Sequence, residues 1–150
     1  MGEYIHKKHN VSVLLYHVVC PAKYRRVVFT KEVDAVLKET CKEISKRYEI
    51  RFIEIGTDKD HVHFLIQSVP KISPTRLVML IKSITAKEIF KTCPEVKKQL
   101  WGGSLWSSGY YINTVGQHGN EAVIKNYVKN QGREKEYEVI HQQPLGLFDP

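Results

Sequence analysis

Asn10 to Cys20 reads NVSVLLYHVVC, a nearly continuous apolar run rich in valine, and no other segment limits the possible folds so much. Such a run is the mark of a central strand in a sheet, and Pro21 ends it. The basic Lys23-Tyr24-Arg25-Arg26 then forms a loop before a short Val27-Val28-Phe29. Thr30 is placed to cap a helix whose apolar positions Val33, Val36, Leu37, Cys41, Ile44 and Tyr48 keep the helical period. Ile50 to Thr57 reads as a strand, Asp58-Lys59-Asp60 as a turn, and His61 to Val69 as the strand paired with it. Ser73-Pro74 is an N-cap followed by proline at the first helical position. It opens a helix to about Lys91, with Leu77, Leu80, Ile81 and Ile84 inward. A short Pro94 to Leu100 segment leads through Trp101-Gly102-Gly103 to a strand from Leu105 to Val115. Asn120 caps a last helix that carries Tyr127, and Pro144 to Pro150 is a tail. The order strand, helix, strand, strand, helix, strand predicts an α+β chain of ferredoxin-like (split βαβ, RRM-like) form. Its antiparallel sheet has both helices on one face, with the tyrosine helix added at the C-terminal end. The other sheet face is expected to be open to a substrate or partner.

At 150 residues the chain is expected to form one domain over 1–150, long enough to bury a core. With 42% hydrophobic and 26% charged residues it is neither disordered nor membrane-like. No apolar stretch approaches the roughly 20 residues of a membrane helix. The start, Met1-Gly2-Glu3-Tyr4-Ile5-His6-Lys7-Lys8, turns polar where a signal peptide would be apolar, so a cytoplasmic location is expected. Cys20, Cys41 and Cys93 are widely spaced, without a CxxC pair, and read as small buried hydrophobes of a reducing compartment. The net charge of +7 favours a polyanionic partner, because each Lys or Arg that meets a phosphate releases a condensed counterion.

Within the strand from His61, Val62, Phe64 and Ile66 share one face while His61, His63, Leu65 and Gln67 share the other. Two imidazoles on one face can hold one metal ion, although many His-x-His strands are surface or hydrogen-bonded pairs. Asp60 is placed to orient an imidazole as an outer acceptor, or to serve simply as a turn residue. On the last helix Tyr127 and Gln131, four apart, point together and offer a phenol nucleophile and an amide oxygen. The plain reading there is an amphipathic helix with Ile124, Tyr127 and Val128 inward and Lys125 and Lys129 solvated.

Taken with its surroundings, His61-Val62-His63 within Asp58 to Leu65 resembles the His-hydrophobic-His motif of single-tyrosine HUH transposases (TnpA type) of small bacterial and archaeal insertion sequences. Further segments are similar to that family. They are Tyr16 to Arg26, the helix around Lys82-Ser83-Ile84-Thr85, the strand from Leu105 to Gly116, and Ile124 to Gly132. The chain departs from the family at Ser107-Ser108, where a basic residue or glycine is more usual.

The resemblance implies that His61, His63 and Gln131 hold a divalent ion, Mg²⁺ or Mn²⁺. It implies that Tyr127 attacks a phosphodiester to give a 5′-phosphotyrosine and a free 3′-hydroxyl. It further implies a substrate of single-stranded DNA near hairpins at element ends. It also implies a homodimer in which one subunit's tyrosine helix can complete the other's site. Lys23, Arg25, Arg26, Lys82, Lys125 and Lys129 are the candidates for DNA contact. Competing readings are another HUH nickase or a domesticated relative, and a non-catalytic ferredoxin-like RNA-binding module with aromatics on its open face.

Overall fold

The computed structural model describes residues 14–115 in full, with the backbone alone of Ile5–His6, Val11–Ser12 and Tyr137–Glu138. Ile5–His6 (β1) and Val11–Ser12 (β2) pair as a small antiparallel ribbon. The main body runs through β3 (Leu14–Pro21), α1 (Lys31–Arg47), β4 (Arg51–Thr57), β5 (His61–Ser68), α2 (Pro74–Thr92), α3 (Pro94–Gln99) and β6 (Tyr111–Val115). Tyr137–Glu138 forms β7.

The strands make a five-stranded sheet in the order β6-β3-β5-β4-β7, with antiparallel pairing throughout. β5 lies between β3 and β4, the strands that α1 joins, which is the split βαβ arrangement read from the sequence. A bulge between Phe52 and Glu54 shifts the β4 register against β5.

Local chemistry explains the helices. The Thr30 hydroxyl accepts from the Val33 amide at 3.3 Å, and Glu32 and Asp34 meet the positive end of α1 while Lys46 and Arg47 meet its negative end. The Ser73 hydroxyl accepts from the Arg76 amide at 3.1 Å, and Pro74 opens α2 without losing a hydrogen bond. Val33, Leu37, Cys41 and Ile44 of α1 and Leu77, Val78 and Ile81 of α2 pack on one sheet face. There they meet Tyr16, Val18 and Cys20 of β3, Phe52 and Ile55 of β4, and Val62, Phe64 and Ile66 of β5. The cysteines are free and buried as expected; burial pushes the Cys20 thiol up to about 12, so it is inert at neutral pH. Among the described residues no helix is long and apolar enough to cross a membrane.

Some expectations need correction. The strand read from Leu105 begins only at Tyr111, and Trp106 touches the sheet by a single bridge to Ala22. The reason lies in the stretch between: the carbonyls of Ser107 and Gly109 accept from the Lys82 ammonium instead of joining the ladder. The second sheet face is open only in part: Leu15, His17, His63, Leu65 and Gln67 on it are buried, whereas Tyr111 and Asn113 on β6 are exposed. The last helix from Asn120, with Tyr127, and the tail from Pro144 lie outside the described residues.

Candidate functional site

β5 carries His61 and His63 onto the face turned away from the helices, as strand alternation requires. His63 sits opposite Val19 on β3 and opposite Gly56, which has no side chain, on β4. The His61 and His63 ring centroids are 4.8 Å apart, close enough for both imidazoles to serve one ion. His63 in turn stacks on His17 at 5.7 Å with the planes 9° apart, and Tyr111 meets His17 edge-on at 6.2 Å. A line of rings thus runs from the sheet rim at His61 across β5 and β3 to Tyr111 on the edge strand β6. Burial lowers the His17 pKa to about 4, so the ring is neutral at physiological pH.

The rim end is the polar one. His61 Nδ1 lies 2.8 Å from Asp60 Oδ1, and its Nε2 lies 3.5 Å from Asp58 Oδ2. The other Asp60 oxygen accepts from Arg25 Nε at 3.1 Å. Burial works to raise the Asp60 pKa, but hydrogen bonds from His61 and Arg25 and their charges outweigh it and hold the carboxyl below its usual range. Asp58, Asp60 and His61 bring ligand atoms within 4.8 Å of one another. Imidazole nitrogens beside carboxylate oxygens, on a rigid strand end, are a donor set that suits Mg²⁺ or Mn²⁺.

This rim is fastened to the basic loop by main chain. The Ala22 amide donates to the Asp60 carbonyl at 2.8 Å, and the amides of Val28 and Phe29 donate to the Lys59 carbonyl. Arg25 and Arg26 of that loop are exposed and Lys23 is half-buried. Lys82 stands elsewhere: its ammonium donates to the Ser107 carbonyl at 2.7 Å and the Gly109 carbonyl at 2.9 Å. Nearby, Trp106 Nε1 donates to the Thr85 hydroxyl at 3.0 Å. The segment around Lys82 to Thr85 therefore holds the loop that leads into β6.

The structure brings His61 and His63 together and ties Arg25 to them through Asp60, while Lys23 and Arg26 lie over the rings of Tyr24 and Trp101. Lys82 is bound to the loop before β6. Tyr127, Gln131, Lys125 and Lys129 lie outside the described residues. Sequence reasoning passed over Asp58 and His17 as site residues. Asp58 was hidden as an ordinary turn residue, though the spacing Asp58-x-Asp60-His61-x-His63 was a signal. His17 was visible as the one histidine in an apolar strand run.

Residues 10–131 match the family described as "Transposase IS200 like". The chain is similar to the ISDra2 transposase TnpA of Deinococcus radiodurans, 33% identical over 121 residues, 81% of this chain and 86% of that protein. It is also similar to the transposase for insertion sequence element IS200 of Salmonella typhimurium, 29% identical over 116 residues, 77% of this chain and 75% of that protein. Among solved structures, one from Deinococcus radiodurans described as a transposase superimposes with a TM-score of 0.68 at 30% identity, over 85% of this chain and 97% of the other. A REP-associated tyrosine transposase bound to a REP hairpin gives a TM-score of 0.55 at 9% identity, over 87% of this chain and 73% of the other, a likeness of fold.

Proposed function

This chain belongs to the IS200-like transposases and is a DNA transposase; on that premise we propose that it cuts and rejoins single-stranded DNA at insertion-sequence ends through a covalent bond to Tyr127. The observation that supports this reading most is the rim of β5, where His61 and His63 stand side by side with Asp60 holding one imidazole. The family match runs to residue 131 and so takes in Tyr127 and Gln131 as well.

In this reading His61, His63 and Gln131 hold Mg²⁺ or Mn²⁺, with Asp58 near enough to His61 to share in the site. Such an ion supplies charge neutralisation and orientation to a phosphodiester. Asp60 accepts the Nδ1 proton of His61, which leaves Nε2 as the donor atom and fixes the ring plane. The Tyr127 phenol attacks phosphorus: an O–P bond forms, the bond to the 3′-oxygen breaks, the phenol proton is lost, and the 3′-oxygen takes one up. Because the phosphotyrosine retains the phosphodiester bond energy, another 3′-hydroxyl can attack it and reseal the strand without ATP. Lys23, Arg25 and Arg26 on the loop, with Lys125 and Lys129 beside the nucleophile, supply positive charge to the strand backbone. A homodimer exchanging tyrosine helices completes the proposal, with hairpins at the element ends as the recognised DNA.

The test mixes the protein with Mg²⁺ or Mn²⁺ and labelled single-stranded element ends, then resolves the products on a denaturing protein gel. A metal-dependent covalent adduct, lost in Tyr127→Phe and weakened in His61→Ala, is expected. Tight binding without any adduct would replace the transposition chemistry by a binding role.

A further inference from the structure

Beside the metal-ligating rim lies a pair of aromatic side chains to which the cutting chemistry gives no role. Tyr24 and Trp101 are large aromatic side chains left 61% and 69% exposed, and they touch: their ring centroids are 5.5 Å apart, with the planes inclined at 60°. Exposing such rings to water is costly, and paired exposure usually marks a contact surface. The Arg26 guanidinium lies 4.3 Å from the Trp101 ring centre and the Lys23 ammonium 5.4 Å from that of Tyr24. A cleft of about 530 Å³ opens alongside, walled by Arg25, Arg26, Lys98 and Trp101.

The patch is built rather than accidental. Tyr24, Arg25 and Trp101 all have positive φ, at 59°, 51° and 53°, a conformation that costs bulky L-residues energy and persists only where the surroundings impose it. The imposing contacts are visible. The Lys23 amide donates to the Leu105 carbonyl at 2.8 Å, and the Ser107 amide donates to the Pro21 carbonyl at 2.9 Å. These bonds tie the Tyr24 loop to the Trp101 turn. The Trp101 and Gly102 amides donate back to the carbonyls of Lys98 and Lys97, closing the end of α3. The rings are thus held in place before any ligand arrives.

We propose that Tyr24 and Trp101 form a stacking platform for an unpaired nucleotide base of the single-stranded substrate, with Arg25, Arg26 and Lys98 gripping the flanking phosphates. This rests on the reading that the chain handles single-stranded DNA and adds a base-contacting subsite to it. Exposed aromatic rings with cations lying over them suit a single strand, which can offer both a base face and phosphates. A paired stem keeps its base faces inside the stack and offers only the phosphates. Arg25 also bonds to Asp60, which holds His61, so a strand seated on the platform runs towards the metal-ligating rim.

The experiment uses the full chain without metal, so that no cleavage enters. The probe is oligothymidylate of about a dozen nucleotides, compared with the same strand carrying abasic sites at equal phosphate number. Binding is followed by the anisotropy of a fluorescein label on each strand, a readout that the double variant keeps, with quenching of the exposed Trp101 as a second readout in the unaltered protein only. The proposal expects the intact strand to quench emission and the abasic strand to bind more weakly, by roughly fivefold or more per stacked base. It expects that difference to vanish in the double variant Tyr24→Asn, Trp101→Asn, because asparagine tolerates positive φ and keeps the backbone in place. Equal binding of the two strands by the unaltered protein, or an unchanged difference in the double variant, would overturn the platform. The cleavage reading is judged separately by the Tyr127 adduct. Base-dependent binding without an adduct sinks that reading alone, and an adduct without base dependence sinks only the platform.

Discussion

Replacing Asp60 by asparagine tests whether the rim is a metal site with an oriented ligand. The Asp60 carboxylate accepts from His61 Nδ1 at 2.8 Å, a charge-assisted bond to a ring whose N–H becomes more acidic once Nε2 binds a cation. Charge-assisted hydrogen bonds contribute about 1.5–3 kcal/mol and neutral ones about 0.5–1.5 kcal/mol, so the amide forfeits roughly 1–1.5 kcal/mol. That converts to about a tenfold weaker Mn²⁺ affinity, while Asp60→Ala, which also frees the ring to turn, approaches the 100-fold end of the range for outer partners of metal-bound histidine. Arg25→Gln should change the affinity less than Asp60→Asn. The Arg25 side chain is 61% exposed, and solvent screens its pair with Asp60 to little more than about 1 kcal/mol at most. Isothermal titration of metal-free protein with Mn²⁺ measures all three variants. Affinities within twofold of the parent for both Asp60 variants would refute the idea that Asp60 orients a metal ligand.

Other expected outcomes follow from burial. Asp34→Ala removes the carboxylate 2.8 Å from the buried Lys38 ammonium and should destabilise the fold by about 3 kcal/mol; urea unfolding would show it, and the paired change Asp34→Leu with Lys38→Met should lose much less. Trp106→Phe gives up the bond from the indole to the Thr85 hydroxyl and should cost about 1–2 kcal/mol by the same method, with Thr85 still donating to the Ile81 carbonyl. His17, neutral when folded with a pKa near 4 against 6.5 when unfolded, makes the unfolded chain bind more protons between those values. Stability of metal-free protein should therefore be full above pH 6.5 and fall by roughly 3 kcal/mol as the pH drops through that window. His17→Phe, which keeps a ring against His63, should flatten the slope measured by denaturation at stepped pH.

Periodicity carried most of the fold. Val62, Phe64 and Ile66 had to share a face, and that face is the one covered by α1 and α2. Thr30 and Ser73 announced the helix starts because a cap depends on a few neighbouring residues only. The β6 entry was misjudged for the opposite reason. The segment from Leu105 to Val115 was read as one strand, but Lys82, far away in sequence, takes the carbonyls of Ser107 and Gly109 that a ladder would need. At the site, His61 and His63 were legible as a pair, since strand alternation is a local rule.

Other features depended on which segments the fold brings together. Arg25 reaches Asp60 across 35 positions, Tyr24 meets Trp101, and His17 lies flat against His63 through the β3–β5 register. The sequence by itself determined the order of strands and helices, the inward faces and the histidine pair, because each follows from spacings of two to four residues along one element. Only the tertiary structure decided that the second face is buried at its centre, that Lys82 holds a loop, and that a basic turn and a helix end share one aromatic surface. Those outcomes depend on long-range pairing and on competition for hydrogen-bond partners, which no local pattern encodes.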